Sequence, residues 1–217
     1  MEEKSLKRNA FYNVIKNFLA LVFPIITFPY ASRILGPESI GKVNFANSVV
    51  SYFVMIAWLG IQGYAARKAA KVRENKTALS KFVKEILIIN SVSTTFSYIV
   101  FIFALVFVPK LCEYRTLLLI CSLRILFTSI GIDWLYTALE EFRYITIRSF
   151  VFQLLSLVFL FLYVHNESDS IFYAIFGIIS SVGSNICNLF HSKKYVGYAM
   201  NYRGPRPAVS MELFPKI

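Results

Sequence analysis

The chain has 217 residues, of which 57% are hydrophobic and 17% are aromatic, and its mean hydropathy is +0.59. Charged residues make up only 16%, against about 25% in soluble domains. A soluble domain cannot bury this much apolar surface, so the composition excludes that class and predicts a membrane protein with several spans. The net charge of +11 does not indicate a nucleic-acid partner, because the basic residues flank apolar runs and form no separate patch.

The chain begins with a predicted transmembrane hairpin, residues 11–60. Two apolar runs of about 20 residues, the length that crosses a bilayer core of about 30 Å, are joined by the polar turn 34–39. Gly36 and Pro37 favour a stop in this turn, because Gly adopts positive φ and Pro cannot continue a helix. The first run is longer than the apolar region of a signal peptide, so we interpret it as a retained span.

Four further spans follow the hairpin. The six predicted spans are at about residues 11–33, 40–62, 84–108, 115–138, 146–165 and 170–191. The predicted fold is therefore all-α, a polytopic bundle of six transmembrane helices formed by residues 1–195. Residues 196–217 contain three prolines and are expected to be a cytoplasmic linker or a truncated tail.

Lys and Arg are distributed unevenly between the two predicted sides of the membrane. The side with both termini and the segment 63–84 holds 17 of them, and the opposite side holds 4. By the positive-inside rule, both ends of the chain are predicted to be cytoplasmic. We interpret the basic segment 63–84 as a solvated cytoplasmic helix, with contact to lipid head groups as the alternative.

Two segments carry a resemblance to a known family. The first hairpin contains FPYASRILGPESIGKVNFANSVVSYF, in which Pro29, Tyr30, Arg33, Leu35, Gly36, Pro37, Gly41, Phe45 and Ala46 match the family pattern. The second segment, 133–148, matches except at Thr137 and Ala138, which replace a Gln-Gly pair. Over about residues 9–195 the chain resembles the N-terminal half of the polysaccharide (O-antigen repeat-unit) flippases, within the multidrug/oligosaccharidyl-lipid/polysaccharide exporter superfamily.

Two charged residues fall inside the predicted fourth span. Arg124 lies roughly 13 Å deep, where an Arg needs a carboxylate partner or a water-filled cavity. Asp133 is nine residues further on, and at about 100° per residue the two side chains point to opposite faces of one helix, so they cannot pair. Arg124 is either a cavity cation for an anionic ligand or half of a structural pair with another span. For Asp133, a structural or gate contact is favoured over cation coupling.

Polar side chains recur on one face of most predicted spans. The candidate cavity residues are Lys16 and Asn17 in span 1, Asn44, Asn47 and Ser51 in span 2, and Gln153 in span 5. Such faces either hold helices together or line a cavity, and we expect a polar interior because five spans present one. Lys16 would either snorkel to the cytoplasmic interface or line that cavity. The small residues of span 6, such as Ser181 and Ser184, are better explained by close helix packing.

The sequence contains no catalytic or cofactor-binding pattern. His165 and His191 are far apart and lack Cys or carboxylate neighbours at metal-ligand spacing, so neither a metal nor a cofactor is predicted. The three cysteines indicate no disulfide framework. A Gly-rich phosphate loop and a nucleophile motif are lacking too, so we expect a protein that is not an enzyme.

The family resemblance implies a function. Such flippases move a polyprenyl-pyrophosphate-linked oligosaccharide from the inner to the outer leaflet of the bacterial cytoplasmic membrane, for O-antigen and lipopolysaccharide assembly. By this resemblance, Arg124 and Lys16 would attract the pyrophosphate, the polar residues of spans 2 and 5 would bind sugar hydroxyls, and Arg33 at the outer gate would assist release. The chain would be a partial or truncated member, because family members have two such lobes. Its partners would be the lipid-linked oligosaccharide, membrane lipids, and a second lobe or other glycan-assembly membrane proteins.

Two other functions stay open at this point. A cation-coupled multidrug antiporter of the same superfamily would need buried carboxylates in its cavity, for which only Asp133 qualifies. The chain could instead be a non-transporting scaffold within a glycan-assembly complex.

Overall fold

The computed structural model describes residues 6–197, and this part of the chain is helical with no β-strand. Its nine α-helices are α1 (Leu6–Trp58), α2 (Ile61–Val72), α3 (Lys76–Phe107), α4 (Pro109–Cys112), α5 (Arg115–Ile130), α6 (Asp133–Ala138), α7 (Phe142–Tyr163), α8 (Ser170–Ile178) and α9 (Asn185–Ser192). A 3-10 turn, Glu167–Asp169, precedes α8, and a π-helical turn, Ile179–Gly183, leads from α8 towards α9. The predicted all-α class is confirmed.

Several helical segments are suited to a membrane. Five segments of the described chain are long and apolar enough to cross one: Lys7–Trp58, Lys76–Phe107, Arg115–Ala138, Phe142–Tyr163 and Glu167–Ser192. Apolar side chains also cover the outside of the bundle, as on α3, where Phe96 is 59% and Ile99 is 62% exposed. The chain is therefore a multi-pass membrane protein, because lipid rather than water suits such a surface. The number of six spans and the cytoplasmic position of both ends stay predictions.

The first of these segments is broken at Gly36, where φ is 72° and ψ is 167°, a conformation that is essentially restricted to glycine. Thr27 before the break and Asn47 after it line the same small cavity. In one straight helix these two residues would lie about 30 Å apart, so the chain reverses direction at Gly36. Ser39, just after the break, donates a hydrogen bond to the carbonyl oxygen of Glu167 at 3.2 Å, which fastens this turn to the turn before α8.

The reversal divides α1 into a first arm, residues 6–35, and a second arm, residues 37–58. The second arm packs against α3 and α5 through a shared core of small and branched side chains. On α3, the Ser97 hydroxyl donates to the carbonyl oxygen of Phe53 at 2.7 Å. This bond satisfies a hydroxyl that lipid cannot hydrate and holds α3 against the second arm, so the polar face of the third predicted span serves packing.

The first arm is held mainly by α7. Thr146 near the start of α7 donates to the carbonyl oxygen of Tyr12 at 3.0 Å, and Tyr30 donates to the carbonyl oxygen of Val164 at 3.0 Å. The first arm and α7 therefore run parallel, with their ends in register. Between these two contacts the arm stands beside α8 and its π-helical turn, and a cavity opens there.

Four predicted spans differ in detail from the observed helices. The predicted third span, 84–108, begins eight residues earlier, at Lys76 of α3. The predicted second span, 40–62, ends early, because Leu59 and Gly60 have φ values of 47° and 66° and α2 starts afresh after them. The predicted fourth span, 115–138, is split into α5 and α6 at residues 131–132. The predicted sixth span contains the π-helical turn. The predicted tail, 196–217, lies outside the described residues except for its first two.

Candidate binding cavity

A cavity of about 480 Å³ lies between the first arm, the start of α6, α7, and the segment from α8 to α9. Its lining is rich in polar side chains, namely Lys16, Asp133, Arg148, Ser149, Gln153, Ser180, Ser181 and Ser184. The three charged members are two cations and one carboxylate, which leaves one net positive charge. Because serine and glutamine can both donate and accept hydrogen bonds, the lining suits an anionic ligand with hydroxyl groups.

Three residues predicted from the sequence as cavity candidates lie in this lining: Lys16, Asp133 and Gln153. Lys16 is half-buried, and no ion pair joins it to another residue of the described range. Its ammonium group is therefore available to a ligand. The cavity also contains Ser181 and Ser184, which the sequence analysis assigned to helix packing. For Ser184 both roles hold, since it is buried as well as part of the lining.

The other polar candidates lie elsewhere. Asn47 lines a second, smaller cavity of about 80 Å³, which shares Phe23 and Gly177 with the larger one. Asn17, Asn44 and Ser51 are exposed on the outside of the described lobe, and the Ser51 hydroxyl donates to the carbonyl oxygen of Asn47 at 2.7 Å. Their predicted contacts with sugar stay predictions.

Arg124 lies on α5 and does not line either cavity. It is half-buried, and no ion pair or side-chain hydrogen bond joins it to another described residue. Its predicted contact with an anionic ligand stays a prediction. At the Gly36 end of the hairpin, Arg33 and Pro37 are exposed on either side of the break, and the role of Arg33 in an outer gate stays a prediction.

Arg148 is a cavity residue that sequence reasoning missed. It was counted among the cytoplasmic basic residues, but in α7 it is only 7% exposed. Its Nη2 donates to Oδ1 of Asp133 at 2.8 Å, in an ion pair that joins α7 to α6. The signal that could have found it is its place one position before Ser149, where the polar face of the fifth predicted span begins. Adjacent residues are about 100° apart around a helix, so Arg148 lies beside that face.

Asp133 is held by two elements besides its own. The Nδ2 of Asn188 in α9 donates to the same Oδ1 that Arg148 uses, at 2.5 Å. Tyr136, one turn after Asp133, donates to the backbone carbonyl of Asn188 at 2.9 Å. The break between α5 and α6 makes this possible, because it places Asp133 at the first turn of a new helix rather than on the opposite face to Arg124. The expectation that Arg124 and Asp133 do not pair agrees with this arrangement.

Aromatic side chains of α6, α7 and α9 pack together beside Arg148. The His191 ring stacks on Tyr144 with centroids 4.1 Å apart and on Tyr136 with centroids 5.7 Å apart. The Cζ atom of Arg148 lies 5.6 Å from the centroid of the Tyr144 ring, within cation–π range. The Tyr144 ring therefore covers part of the Arg148 guanidinium. Among the described residues, no group of His, Cys, Asp and Glu is arranged to hold a metal ion.

Comparison with known proteins identifies the family. Residues 6–198 match the family model described as "Polysaccharide biosynthesis protein". A "Putative O-antigen transporter" of Escherichia coli (strain K12) is 24% identical over 185 residues, which cover 85% of this chain and 44% of that protein. The chain thus spans less than half the length of this curated relative, and no solved structure matches it. The resemblance noted from the first hairpin is confirmed, and the chain belongs to the polysaccharide flippase family.

Proposed function

We propose that this chain forms one lobe of a flippase that moves a polyprenyl-pyrophosphate-linked oligosaccharide from the inner to the outer leaflet of a bacterial cytoplasmic membrane. Its family membership supports a role in polysaccharide export. The observation that carries the finer proposal is the cavity of about 480 Å³ with two cations, one carboxylate and a lining of serines.

The chemistry of such a ligand fits this lining. A pyrophosphate group is anionic and needs positive charge once it leaves water, which Lys16 and Arg148 supply. Sugar hydroxyls both donate and accept hydrogen bonds, as do Gln153 and the serines of the π-helical turn. The polyprenyl chain would stay in the surrounding lipid, because the outer face of the bundle is apolar.

Transport by this family's two-lobe design needs a second half. Alternating access is a rocking of one repeat against the other around a site between them, and the described lobe supplies one side of such a site. The exposed polar residues of the second arm, Asn44 and Ser51, lie where a second lobe could cover them. We therefore propose that the chain acts together with another half or with other glycan-assembly membrane proteins, and that it performs no chemical catalysis.

A cation-coupled multidrug antiporter is a weaker candidate. It would need a carboxylate that is free to exchange a proton or sodium ion. Asp133 is the one carboxylate in the cavity lining, and it already accepts hydrogen bonds from Arg148 and Asn188. A positively charged partner at 2.8 Å disfavours a second cation at the same oxygen. A non-transporting scaffold remains the other candidate, and the experiment below separates it from a transporter.

The proposal is tested by native mass spectrometry of the purified chain. The ligand is a polyprenyl-pyrophosphate-linked oligosaccharide, and a neutral polyprenol is the comparison. We expect selective binding to the wild type and a loss of about tenfold in Lys16→Gln, the size of one lost charge-assisted contact. Lys110→Gln is the matched control, because Lys110 is exposed in α4 and does not line the cavity.

Arg124→Gln should bind like the wild type, since Arg124 does not line the cavity. If all four proteins fail to distinguish the sugar-linked lipid from the neutral polyprenol, the lobe has no transport site of its own and the scaffold function gains support. If Arg124→Gln loses binding and Lys16→Gln keeps it, the site has been placed in the wrong part of the lobe.

A further inference from the structure

We propose that Arg148 is the anion-binding residue of the cavity, and that a phosphate group of the ligand takes the place of Asp133 as its partner. The ligand class is a phosphate or pyrophosphate, carried by a lipid or free. The lipid-linked form rests on the proposed function, whereas the exchange of partners at Arg148 is inferred from the side chains themselves.

The first observation is an unsatisfied buried guanidinium. Arg148 is 7% exposed, and only its Nη2 has a hydrogen-bond partner, Asp133. Its Nε and Nη1 are buried and have no acceptor among the described residues. Buried donors without acceptors are rare in proteins and costly in lipid. A phosphate group offers several acceptor oxygens to one guanidinium, whereas Asp133 here uses a single oxygen.

The second observation is that Asp133 can yield its place. The Asp133 side chain is 38% exposed and lines the same cavity as Arg148, whose side chain is only 6% exposed, so displacement of Asp133 would open the guanidinium to an incoming anion. Its Oδ1 also accepts a hydrogen bond from Asn188, which would remain after Arg148 turned to the ligand. The Asp133 carboxylate would then keep one hydrogen-bond donor, Asn188, and would not be buried without a partner.

The third observation is the charge balance of the cavity. Lys16 and Arg148 carry two positive charges and Asp133 carries one negative charge, so the lining holds one excess positive charge before a ligand binds. An anion that pairs with Arg148 and Lys16 offsets this positive charge and displaces the internal carboxylate. A cation would instead add to the excess positive charge of the lining. The site therefore selects anions, and Asp133 acts as the occupant of the anion position when the ligand is absent.

The test compares three probes on the full chain in nanodiscs: farnesyl pyrophosphate, inorganic pyrophosphate and farnesol. We expect Arg148→Gln to weaken pyrophosphate binding by about tenfold or more. We expect Asp133→Asn to strengthen it by about tenfold, because one charge-assisted hydrogen bond no longer has to be broken. Lys110→Gln and Asp169→Asn are the matched controls, since both remove a charge that does not line the cavity, and neither should change the affinity.

The sign of the Asp133→Asn effect decides the inference. If that variant binds pyrophosphate more weakly than the wild type, or equally well, Asp133 is a fixed support of Arg148 and the exchange does not occur. Farnesyl pyrophosphate binding more tightly than inorganic pyrophosphate would assign the site to a lipid head group, and equal affinities would assign it to free phosphate.

A second measurement needs no variant. Hydrogen–deuterium exchange of the wild type is followed at residues 131–136 with and without farnesyl pyrophosphate. Faster exchange on binding is expected, because release of Asp133 from Arg148 loosens the start of α6. Slower or unchanged exchange would overturn the inference. Such a result would not affect selective binding of the sugar-linked lipid. Failure of the partner exchange at Arg148 can therefore be distinguished from failure of the proposed transport function.

Discussion

Gly131 lies buried at the junction between α5 and α6, and no larger residue fits there. A β-carbon added to Gly131 would collide with Nδ2 of Asn185 and lie 2.8 Å from its Cγ and 3.1 Å from the carbonyl oxygen of Thr128. Its backbone, with φ −64° and ψ 117°, is open to any residue, so the obstacle is space alone. Gly131→Ala must therefore push Asn185 away and break the hydrogen bond that its Nδ2 donates to the carbonyl oxygen of Phe127 at 3.0 Å.

The cost of Gly131→Ala has two parts. Overpacking costs about 1–3 kcal/mol, and the lost hydrogen bond costs about 0.5–1.5 kcal/mol. We expect the free energy of unfolding to fall by about 2–4 kcal/mol. Unfolding by SDS in mixed micelles, followed by tryptophan fluorescence, would measure this, because Trp134 lies three residues after the substitution.

Gly41→Ala is the matched control for this substitution. Gly41 is exposed on the second arm, and a β-carbon there meets nothing within 4 Å. We expect it to be neutral or to stabilise the helix by up to about 1 kcal/mol. The double variant Gly131→Ala with Asn185→Ala should recover most of the overpacking cost. Equal stability of Gly131→Ala and Gly41→Ala would refute the close packing of α5 and α9 at this junction.

Three further changes can be measured by the same or simpler assays. Gly36→Ala should lower the free energy of unfolding by about 1–3 kcal/mol, because φ of 72° with ψ of 167° is strained for any residue with a β-carbon; an unchanged unfolding midpoint would contradict this. Glu140→Gln should lower the free energy of unfolding by less than about 1 kcal/mol, because its ion pair with Arg73 at 2.5 Å is partly exposed. The loss should be smaller still in high salt. Burial and a hydrogen bond to Glu141 raise the pKa of Tyr195 to about 12. The folded chain thus holds this proton more tightly than the unfolded chain, and stability should decline as pH rises from about 10 to about 12. The difference in absorbance at 295 nm between the wild type and Tyr195→Phe should show a titration near the upper value, and a midpoint near 10 would contradict it.

The hairpin of α1 shows which features can be predicted from local sequence. The two apolar runs are long enough to cross a bilayer, and Gly36 is the residue whose backbone is free to make the break between them. Both are properties of consecutive residues, so they could be inferred without knowledge of any distant contact. The end of the second arm at Trp58 could not be inferred in this way. Leu59, which helps to end the arm, has a positive φ that residues with a β-carbon do not favour.

The cavity depends on contacts between distant residues, which could not be predicted from local sequence. Arg124 and Arg148 are both arginines within apolar segments, and the sequence predicted the first as a candidate for the cavity and counted the second on the cytoplasmic side. In the structure Arg148 lines the cavity and Arg124 does not. The difference depends on Asp133, 15 residues before Arg148, and on the break before α6 that turns Asp133 towards α7 and α9. Contacts of this separation leave no periodic pattern in the sequence.

The all-α membrane fold follows from the sequence alone, because apolar runs of sufficient length can satisfy their backbone in lipid only as helices. Helical periodicity also shows which polar residues share a face. It does not show what that face meets, so Asn47, Gln153 and Ser51 were equivalent candidates. The packing of the helices brought Gln153 of α7 to the larger cavity and Asn47 of the second arm to the smaller one, and left Ser51 outside. A side chain's periodic position is set within its own helix, whereas its partners are set by how the helices pack, and only the tertiary structure decides that.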